Sequence, residues 1–302
     1  MSERAPDPAA SGRAYLLLTL TSLCWGANAV FGRLAVGEVS PMALVTLRWL
    51  AALGLLVVFA RGHVRRDWPA IRPHLGFVSA MGALGFTAFN ALYYVAAHST
   101  TAVNLGIIQG AGPVFVLLGA LAVYRIPATR LQVAGVLVTL VGVAIVACGG
   151  DLEQLASLRL NPGDLLMMAA CGLYAGYTLA LRRRPPASAL GLFTVMAGAA
   201  FLSSLPLALI EAALGAFQWP TAKGWLILAM VALLPSFLAQ ICFIQGVALI
   251  GPSRAGVFIN LVPVFASILA LLVLAEPFAL YHATALALVL GGIWLAERGN
   301  PR

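Results

Sequence analysis

The chain consists of long apolar runs that short polar stretches separate. A helix needs about 20 apolar residues to cross the hydrocarbon core of a bilayer, and ten runs of about that length follow one another along the sequence. We therefore predict an all-α integral membrane protein with ten transmembrane helices in the lipid bilayer. The predicted spans are residues 14–36, 41–60, 75–97, 101–123, 131–149, 163–181, 188–214, 223–249, 255–274 and 279–296.

The composition excludes a water-soluble protein. Hydrophobic residues make up 62% of the 302 residues and charged residues only 9%, whereas a soluble domain carries about 25% charged residues. The cysteines all fall inside apolar runs and form no Cys-x-x-Cys pair, so we predict packing residues and no disulfide or metal site. They are Cys24, Cys148, Cys171 and Cys242.

Residues 1–13 are polar and precede the first apolar run. The run could be taken for the core of a signal peptide, because Ala27 and Ala29 give a small-residue cleavage pattern. It continues to Val36, however. We therefore predict an uncleaved first helix that follows a short cytoplasmic tail.

Basic residues are distributed unevenly between the two sides of the predicted bundle. Fourteen of the 18 Lys and Arg residues fall in the tails or in connections on one side, and only Arg159 and Lys223 fall in connections on the other. Cytoplasmic loops carry the excess of basic residues, so both termini are predicted to be cytoplasmic. The net charge of +8 thus reflects topology and does not indicate a nucleic-acid partner.

An internal repeat appears at an offset of 150 residues. The segment GIIQGAGPVFVLLGALAV aligns without a gap with GVFINLVPVFASILALLV. Several identities without a gap indicate duplication. The identical pairs are Gly106 and Gly256, Pro113 and Pro263, Val114 and Val264, Phe115 and Phe265, Pro127 and Pro277, and Gly142 and Gly292.

Each copy contains five predicted helices. We therefore divide the chain into a first repeat at 14–150, a second repeat at 151–298 and a C-terminal cytoplasmic tail at 299–302. Because five is odd, the second copy would enter the membrane in the opposite orientation. Inverted repeats of this kind are a transporter architecture in which the solute binds between the halves near the midplane.

Four segments resemble the EamA family of the drug/metabolite transporter superfamily: SLCWGANAVFGRLAV, LVTLRWLAAL, ALYYVAAHSTTAVNLGIIQGAGPVFVLLGAL and INLVPVFASILALLVLAEPFAL. The similarity extends from about Tyr15 to Ala296, and the family includes aromatic amino acid exporters. The resemblance implies ten helices, alternating access around a central cavity, and export of amino acids or other small metabolites across a bacterial inner membrane.

The third and eighth predicted spans carry polar side chains at matching positions. Asn90 and Gln240 are 150 residues apart, as are Tyr93 and Phe243, and Tyr94 shares a helix face with Asn90. Amides at equal depth in both copies would face each other and could bind a solute's ammonium or carboxylate group. Alternatively, they join neighbouring helices, a contact worth about 0.6 kcal/mol in membranes. We favour the solute site, because both copies keep an amide there.

Prolines interrupt the fourth and ninth predicted spans. Pro113 and Pro263 each lack an N–H and free the carbonyl four residues earlier, so we predict a helix kink at both. Gln109 and Asn260 lie near these kinks and could bind an ammonium group or a water chain together with the freed carbonyls. Equally, neighbouring side chains could satisfy the carbonyls of an ordinary kink.

Aromatic and amide side chains near the middle of the first and sixth spans complete the candidate binding site. Trp25 and Asn28 are three residues apart, as are Tyr174 and Tyr177. Aromatic faces bind planar or cationic solutes by stacking and cation–π contacts. Trp and Tyr also form belts at the membrane interface, but the mid-span position of these residues favours the binding site.

Charged residues are rare inside the predicted spans. Arg48 lies about 10 Å into the second span by helical rise and needs a partner, for which we favour Glu38 or a carbonyl over an anionic solute group. No Asp or Glu lies in the middle of any predicted span. Proton-coupled exporters of organic cations commonly carry a carboxylate there, so that function is disfavoured.

We predict a transporter, without cofactor or metal, that exports small metabolites, with amino acids and especially aromatic ones favoured, as a monomer or weak homodimer. The first alternative is a multidrug or organic-cation exporter of the same fold. The second is a membrane enzyme acting on lipid-linked substrates, which needs a cluster of nucleophilic, acid–base or metal-binding residues. The 4 histidines and 10 carboxylates are scattered along the chain, so we predict no catalytic residues.

Overall fold

A computed structural model describes residues 8–125, 129–151, 161–250 and 252–298, and within these ranges every regular element is helical. Two π-helical segments, Ala83–Ala88 and Ala232–Leu238, and two 3₁₀ turns, Arg72–His74 and Leu181–Arg183, lie between the α-helices. The α-helices are α1 Pro8–Leu34, α2 Pro41–Ile71, α3 Leu75–Gly82, α4 Phe89–Ala96, α5 Ala102–Gly110, α6 Gly112–Tyr124, α7 Arg130–Ala147, α8 Pro162–Ala180, α9 Ala189–Ala213, α10 Ala222–Val231, α11 Ala239–Ile250, α12 Pro252–Ile259, α13 Val262–Leu274 and α14 Leu280–Arg298.

Eight helical stretches of the described chain are long and apolar enough to cross a membrane, and a shorter apolar helix covers Leu280–Ala296. The prediction of an all-α, multi-pass membrane protein is therefore confirmed. One of the eight stretches, Pro41–Ala96, contains 56 residues. It folds back on itself at the 3₁₀ turn Arg72–His74, because Arg48 contacts Asn90, and a straight helix would separate these two residues by about 63 Å.

The second half of the chain repeats the local structure of the first half. The helices α6 and α13 begin and end 150 residues apart, and the π-helical segments lie at nearly the same offset. The residues that follow α6 and α13, Arg125 and Ala275, have φ angles of 52° and 50°. Non-glycine residues rarely adopt positive φ, so this shared helix end is independent structural support for the duplication.

The two halves interlock through equivalent contacts. Helix α1 packs against α11 and α13 of the other half, and its counterpart α8 packs against α4 and α6. Two pairs of equivalent helices also pack together, α2 with α9 and α7 with α14, and α5 packs against α13, the counterpart of α6. The interface between the halves is therefore built from helices of both repeats.

The pair α2 and α9 runs antiparallel, with a carboxylate near each end. Glu211, at the end of α9, accepts hydrogen bonds from the Ser40 hydroxyl at 2.6 Å and from the Met42 N–H at 3.2 Å. Asp67, at the end of α2, accepts from the N–H of Ser188 at 2.9 Å and from its hydroxyl. Helix N-termini carry unpaired N–H groups and favour negative charge. Each helix thus stabilises the start of the other and fixes its position along the pair.

Candidate functional site

A buried arginine lies at the centre of the contact between the halves. Arg48 of α2 is only 4% exposed. Its Nη1 donates to Asn90 Oδ1 at 2.6 Å and to the Tyr94 hydroxyl, both on α4. Its Nε and Nη2 donate to Ser236 Oγ at 3.0 and 2.7 Å. Because Ser236 belongs to the second repeat, the guanidinium joins the two halves.

No carboxylate pairs with this guanidinium in the part of the chain that the structure describes. The ion pairs there are Arg33 with Glu276, Arg66 with Asp67, and Lys223 with Glu38. Of the two partners favoured from the sequence, Glu38 pairs with Lys223 instead, and a carbonyl oxygen is supplied by the amide side chain of Asn90. A buried charge without a counterion is costly. The site is therefore one in which an anionic group would be strongly stabilised.

The π-helical segments explain why polar groups are available at this depth. Pro235 has no N–H to donate to the Val231 carbonyl, and the Ser236 hydroxyl donates to that carbonyl at 2.7 Å instead. In the first half, Asn90 Nδ2 donates to the Phe86 carbonyl at 2.6 Å. Single π turns inside α-helices frequently occur at functional sites. Asn90 and Ser236, two of the three partners of Arg48, are thus each oriented by a second hydrogen bond to their own helix.

Tyrosine hydroxyls extend the polar cluster towards α1. The Tyr94 hydroxyl donates to Asn28 Oδ1 at 2.9 Å. Tyr93 packs edge-on against Tyr94 with ring centroids 5.5 Å apart, and its buried hydroxyl has no hydrogen-bond partner among the described residues. An unpaired buried hydroxyl is unusual in proteins. It is a polar group that a bound solute could use.

Aromatic rings form a continuous surface beside the cluster, which we call the aromatic wall. Trp49 stacks on Phe86 at 4.9 Å, and Phe86 packs against Tyr177 at 5.3 Å. Tyr177 contacts Tyr174 at 5.4 Å, and Tyr174 contacts Phe89 at 5.4 Å. Offset and tilted rings at these distances attract one another. The structure thus brings the predicted site residues Tyr174 and Tyr177 close to Tyr93, which Phe89 also contacts at 5.8 Å.

Trp25 and Phe243 form a separate pair on the side of the second repeat. Their ring centroids lie 5.4 Å apart, and the indole Nε1 donates to the Pro235 carbonyl at 3.2 Å. Gln240 is half-buried. Asn90 forms hydrogen bonds to Arg48 and to its own helix, and none joins it to Gln240 in the described chain. The predicted face-to-face contact of Asn90 with Gln240 is therefore not formed in this conformation.

Pro113 and Pro263 lie just after breaks of one and two residues in the helical stretches Ala102–Tyr124 and Ala255–Leu274, and the kinks expected there stay a prediction. Helix α5 ends at Gly110 and α6, which contains Pro113, begins at Gly112; α12 ends at Ile259 and α13, which contains Pro263, begins at Val262. A proline near the start of a helix needs no N–H, so it suits this position.

The two polar residues near these breaks differ in surroundings. The Gln109 side-chain oxygen Oε1 is buried without a hydrogen-bond partner in the described chain. The backbone N–H of Asn260 donates to the Val257 carbonyl at 3.2 Å. Both residues lie at helix ends that face the interface between the repeats, and their binding role stays a prediction.

The polar cluster is closed to solvent. Asn90, Tyr93 and Tyr94 are at most 5% exposed. Two cavities of about 350 and 300 Å³ lie elsewhere, the first near Arg33 and His98 and the second near Arg61 and Trp68, and neither is lined by the cluster. The predicted central cavity is therefore not open in this conformation.

The sequence profile of the EamA-like transporter family matches residues 12–148 and again residues 161–297. The chain belongs to the EamA-like transporter family. The family domain occurs as two repeats, which confirms the resemblance seen in the sequence, and the chain is a multi-pass membrane transporter rather than an enzyme.

Curated relatives cover nearly the whole chain. "Uncharacterized transporter YyaM" of Bacillus subtilis (strain 168) is 28% identical over 296 residues, which are 94% of this chain and 93% of that protein. "Uncharacterized transporter YetK" of the same organism is 27% identical over 93% of this chain and 86% of its own length. An "Uncharacterized transporter" of Archaeoglobus fulgidus is 27% identical and covers 94% and 97%.

A solved crystal structure has the same fold. It matches with a TM-score of 0.62 over 94% of this chain and 96% of that chain, at 22% sequence identity. The likeness supports the helical architecture at the level of the fold.

Proposed function

We propose that this EamA-like transporter exports amino acids, with aromatic ones favoured, and binds the carboxylate of the solute at Arg48. The observation that carries this proposal is the buried guanidinium with only neutral partners from both repeats. Arginine binds carboxylates with two parallel hydrogen bonds. The aromatic wall supplies faces on which an aromatic side chain can pack, and it begins at Trp49, the residue next to Arg48.

We further propose ten membrane crossings in two inverted halves. Seven of the eight long apolar stretches supply one crossing each, and the 56-residue stretch Pro41–Ala96 supplies two because it folds back. The shorter apolar helix Leu280–Ala296 supplies the tenth crossing. The antiparallel pairing of equivalent helices α2 and α9 supports the inversion. The distribution of basic residues supports cytoplasmic termini in a bacterial inner membrane, which places the loop between α1 and α2 on the outer face.

Alternating access requires contacts that close the outer side of the transporter in one conformation and break in the other. Such contacts join the α1–α2 loop to the α9–α10 loop, and we call them the outer latch. The Thr221 N–H donates to the Glu38 carbonyl at 2.9 Å, and Lys223 Nζ pairs with Glu38 Oε1 at 3.1 Å. The Gln218 side chain donates to the Gly37 carbonyl at 3.0 Å. Because the latch connects the two repeats, their relative motion would open or close this side.

A flux assay with matched solutes tests the proposed substrate class. Purified protein in liposomes is expected to transport phenylalanine at least tenfold faster than phenethylamine, which lacks the carboxylate, because loss of one charge-assisted interaction costs about 1.5–3 kcal/mol. Liposomes without protein are the control. Faster transport of phenethylamine would contradict the proposal and favour the organic-cation exporter, although the positive charge of Arg48 repels cations.

The outer latch is expected to loosen when Glu38 loses its charge. Hydrogen bonds from Thr221 and Lys223 lower the pKa of Glu38. A carboxyl whose pKa is lowered by folding stabilises the closed latch at pH values above its ordinary pKa, and this contribution disappears as the pH falls through the lowered value. Glu38→Gln is expected to speed amide hydrogen exchange at Thr221 by about twofold at neutral pH, since exposed ion pairs contribute little.

Hydrogen exchange followed by mass spectrometry measures this effect. The ratio of the variant's rate to the wild-type rate should approach unity below the pKa of Glu38, where the wild-type carboxyl is also neutral. Asp151→Asn, which changes an exposed carboxylate outside the latch, is the control. Equal exchange rates of the variant and the wild type at every pH would mean that Glu38 does not hold the latch closed.

A further inference from the structure

A polar cavity of about 350 Å³ opens on the proposed outer face. Arg33 of α1, His98 of the α4–α5 loop and Tyr281 of α14 line it, together with Asn104 and Asp164. Asp164 is the third residue of α8 and has no exposed surface. No Lys or Arg of the described ranges pairs with it. A carboxylate is thus held at the wall of a cavity by neutral groups alone.

The neutral partners of Asp164 are a hydroxyl and an amide. The Thr100 hydroxyl donates to Oδ1 at 2.5 Å, and Asn104 Nδ2 lies 3.2 Å from Oδ2. Asn104 is itself only 7% exposed, and its Oδ1 is buried without a hydrogen-bond partner in the described part of the chain. Buried side-chain oxygens rarely lack a partner. Asn104 Oδ1 is therefore an acceptor that can take a hydrogen bond from an additional O–H or N–H donor.

This pair of partners fits both protonation states of the carboxyl group. When Asp164 is ionised, the hydroxyl and the amide N–H₂ donate to it. When Asp164 is protonated, rotation of the amide by 180° would turn Asn104 Oδ1 towards the new O–H, and a threonine hydroxyl can donate or accept. An arginine or lysine partner would instead stabilise only the anion.

The charged groups around the cavity leave the carboxyl free to titrate. Arg33 Nη1 donates to the Ala97 carbonyl at 2.5 Å, and its Nε lies 3.8 Å from Glu276. Glu276 in turn accepts from the N–H groups of Ala102 and Val103 at the start of α5. The charge of Arg33 is therefore balanced by Glu276, and His98 and Tyr281 are the other titratable groups that face the cavity.

We propose that Asp164 binds the proton that drives export. The proton moves from cavity water onto a carboxylate oxygen, which forms one O–H bond, and it leaves to water on the other side after the conformational change. The Thr100 hydroxyl bond ties Asp164 to the end of α4, because the Thr100 N–H donates to the Ala96 carbonyl. Helix α4 also carries Asn90 and Tyr94, the partners of Arg48. This inference rests on the proposed export function.

Transport in liposomes tests the coupling. An acidic outer side is expected to stimulate phenylalanine export by the wild-type protein, and Asp164→Asn, which removes the titrating proton but keeps the size and neutral charge of the acid, is expected to abolish that stimulation. Asp151→Asn is the matched control and should keep it. Equal stimulation in Asp164→Asn and wild type would overturn the inference.

Chemical labelling of the wild-type protein separates this inference from the proposed substrate. Dicyclohexylcarbodiimide modifies protonated carboxyls in apolar surroundings, and peptide mass spectrometry locates the modification. Labelling of Asp164 is expected at low pH and should fall as the pH rises, whether or not phenylalanine is transported. Absence of labelling at every pH, or labelling that does not depend on pH, would overturn the proton site. Absence of phenylalanine flux together with pH-dependent labelling would overturn only the proposed substrate.

Discussion

Replacing Arg48 by methionine is expected to lower phenylalanine flux by about 100-fold, because a charge-assisted bond to a carboxylate contributes about 1.5–3 kcal/mol and each 1.4 kcal/mol is a factor of ten. The loss should appear mainly as weaker binding of the solute. Methionine keeps an apolar side chain but removes the positive guanidinium, whose central carbon lies 5.3 Å from the ring centroid of Trp49 and 5.6 Å from that of Tyr94. Flux measured over a range of phenylalanine concentrations in liposomes would show the change.

Two further variants separate charge from geometry. Arg48→Lys keeps the positive charge but loses the planar pair of donors, so it should recover only part of the flux. Arg130→Met removes an exposed arginine at the start of α7 and should leave flux unchanged. Wild-type flux in Arg48→Met would show that the guanidinium only holds the halves together.

Replacing Gly292 by alanine is expected to lower the free energy of unfolding by about 1–3 kcal/mol, the usual cost of overpacking a tight contact. A Cβ atom at this position would lie 2.3 Å from Thr139 Oγ1, 2.6 Å from the Gly135 carbonyl oxygen and 2.7 Å from the Thr139 nitrogen. Two of these atoms are backbone atoms of α7, so α7 and α14 would have to move apart. Thermal unfolding in detergent would show a lower midpoint.

The neighbouring glycine provides a matched control. A Cβ atom at Gly291 would meet no atom within 4 Å, and alanine is the better helix former. Gly291→Ala should therefore unfold at the wild-type temperature or slightly above it. Equal midpoints for the two variants would mean that α7 and α14 are not in close contact, and would contradict the interface between the fifth helices of the two repeats.

The sequence predicts the helices well because two strong patterns define them. Apolar length reveals the spans, and the 150-residue offset predicts that α6 and α13 share their boundaries. Helix α2 is the clear exception, since its predicted span ends at residue 60 and the helix continues to Ile71. The added turns carry Arg61, Arg65 and Arg66. Because these residues are charged, the apolar pattern ends before them, although the helix itself continues.

The proposed binding site is only partly predictable from the sequence. The polar residues within apolar runs include Asn28, Asn90 and Tyr94. The structure joins Asn90 and Tyr94 to Arg48, and Tyr94 to Asn28. The role of Ser236 was missed, although its position after Pro235 in an apolar run signals a freed carbonyl nearby. Which polar groups meet depends on how distant helices pack, and periodicity along one helix carries no information on that.

The conformation of the transporter is also outside what the sequence can predict. A central cavity follows from the resemblance to a family, whereas the structure has a closed cluster with Tyr93 and Tyr94 almost without exposure. The same sequence must be compatible with closed and open arrangements if it transports by alternating access. The hydrophobic pattern of the sequence is compatible with both the closed and the open arrangement, so it does not distinguish between them.

The position of the solute carboxylate tests the central claim most directly. A structure determined by electron cryo-microscopy or crystallography with phenylalanine bound should place the carboxylate within hydrogen-bonding distance of the Arg48 guanidinium, with the aromatic ring against the wall that begins at Trp49. Phenylalanine bound elsewhere, with Arg48 still bonded to Asn90, Tyr94 and Ser236, would contradict the account.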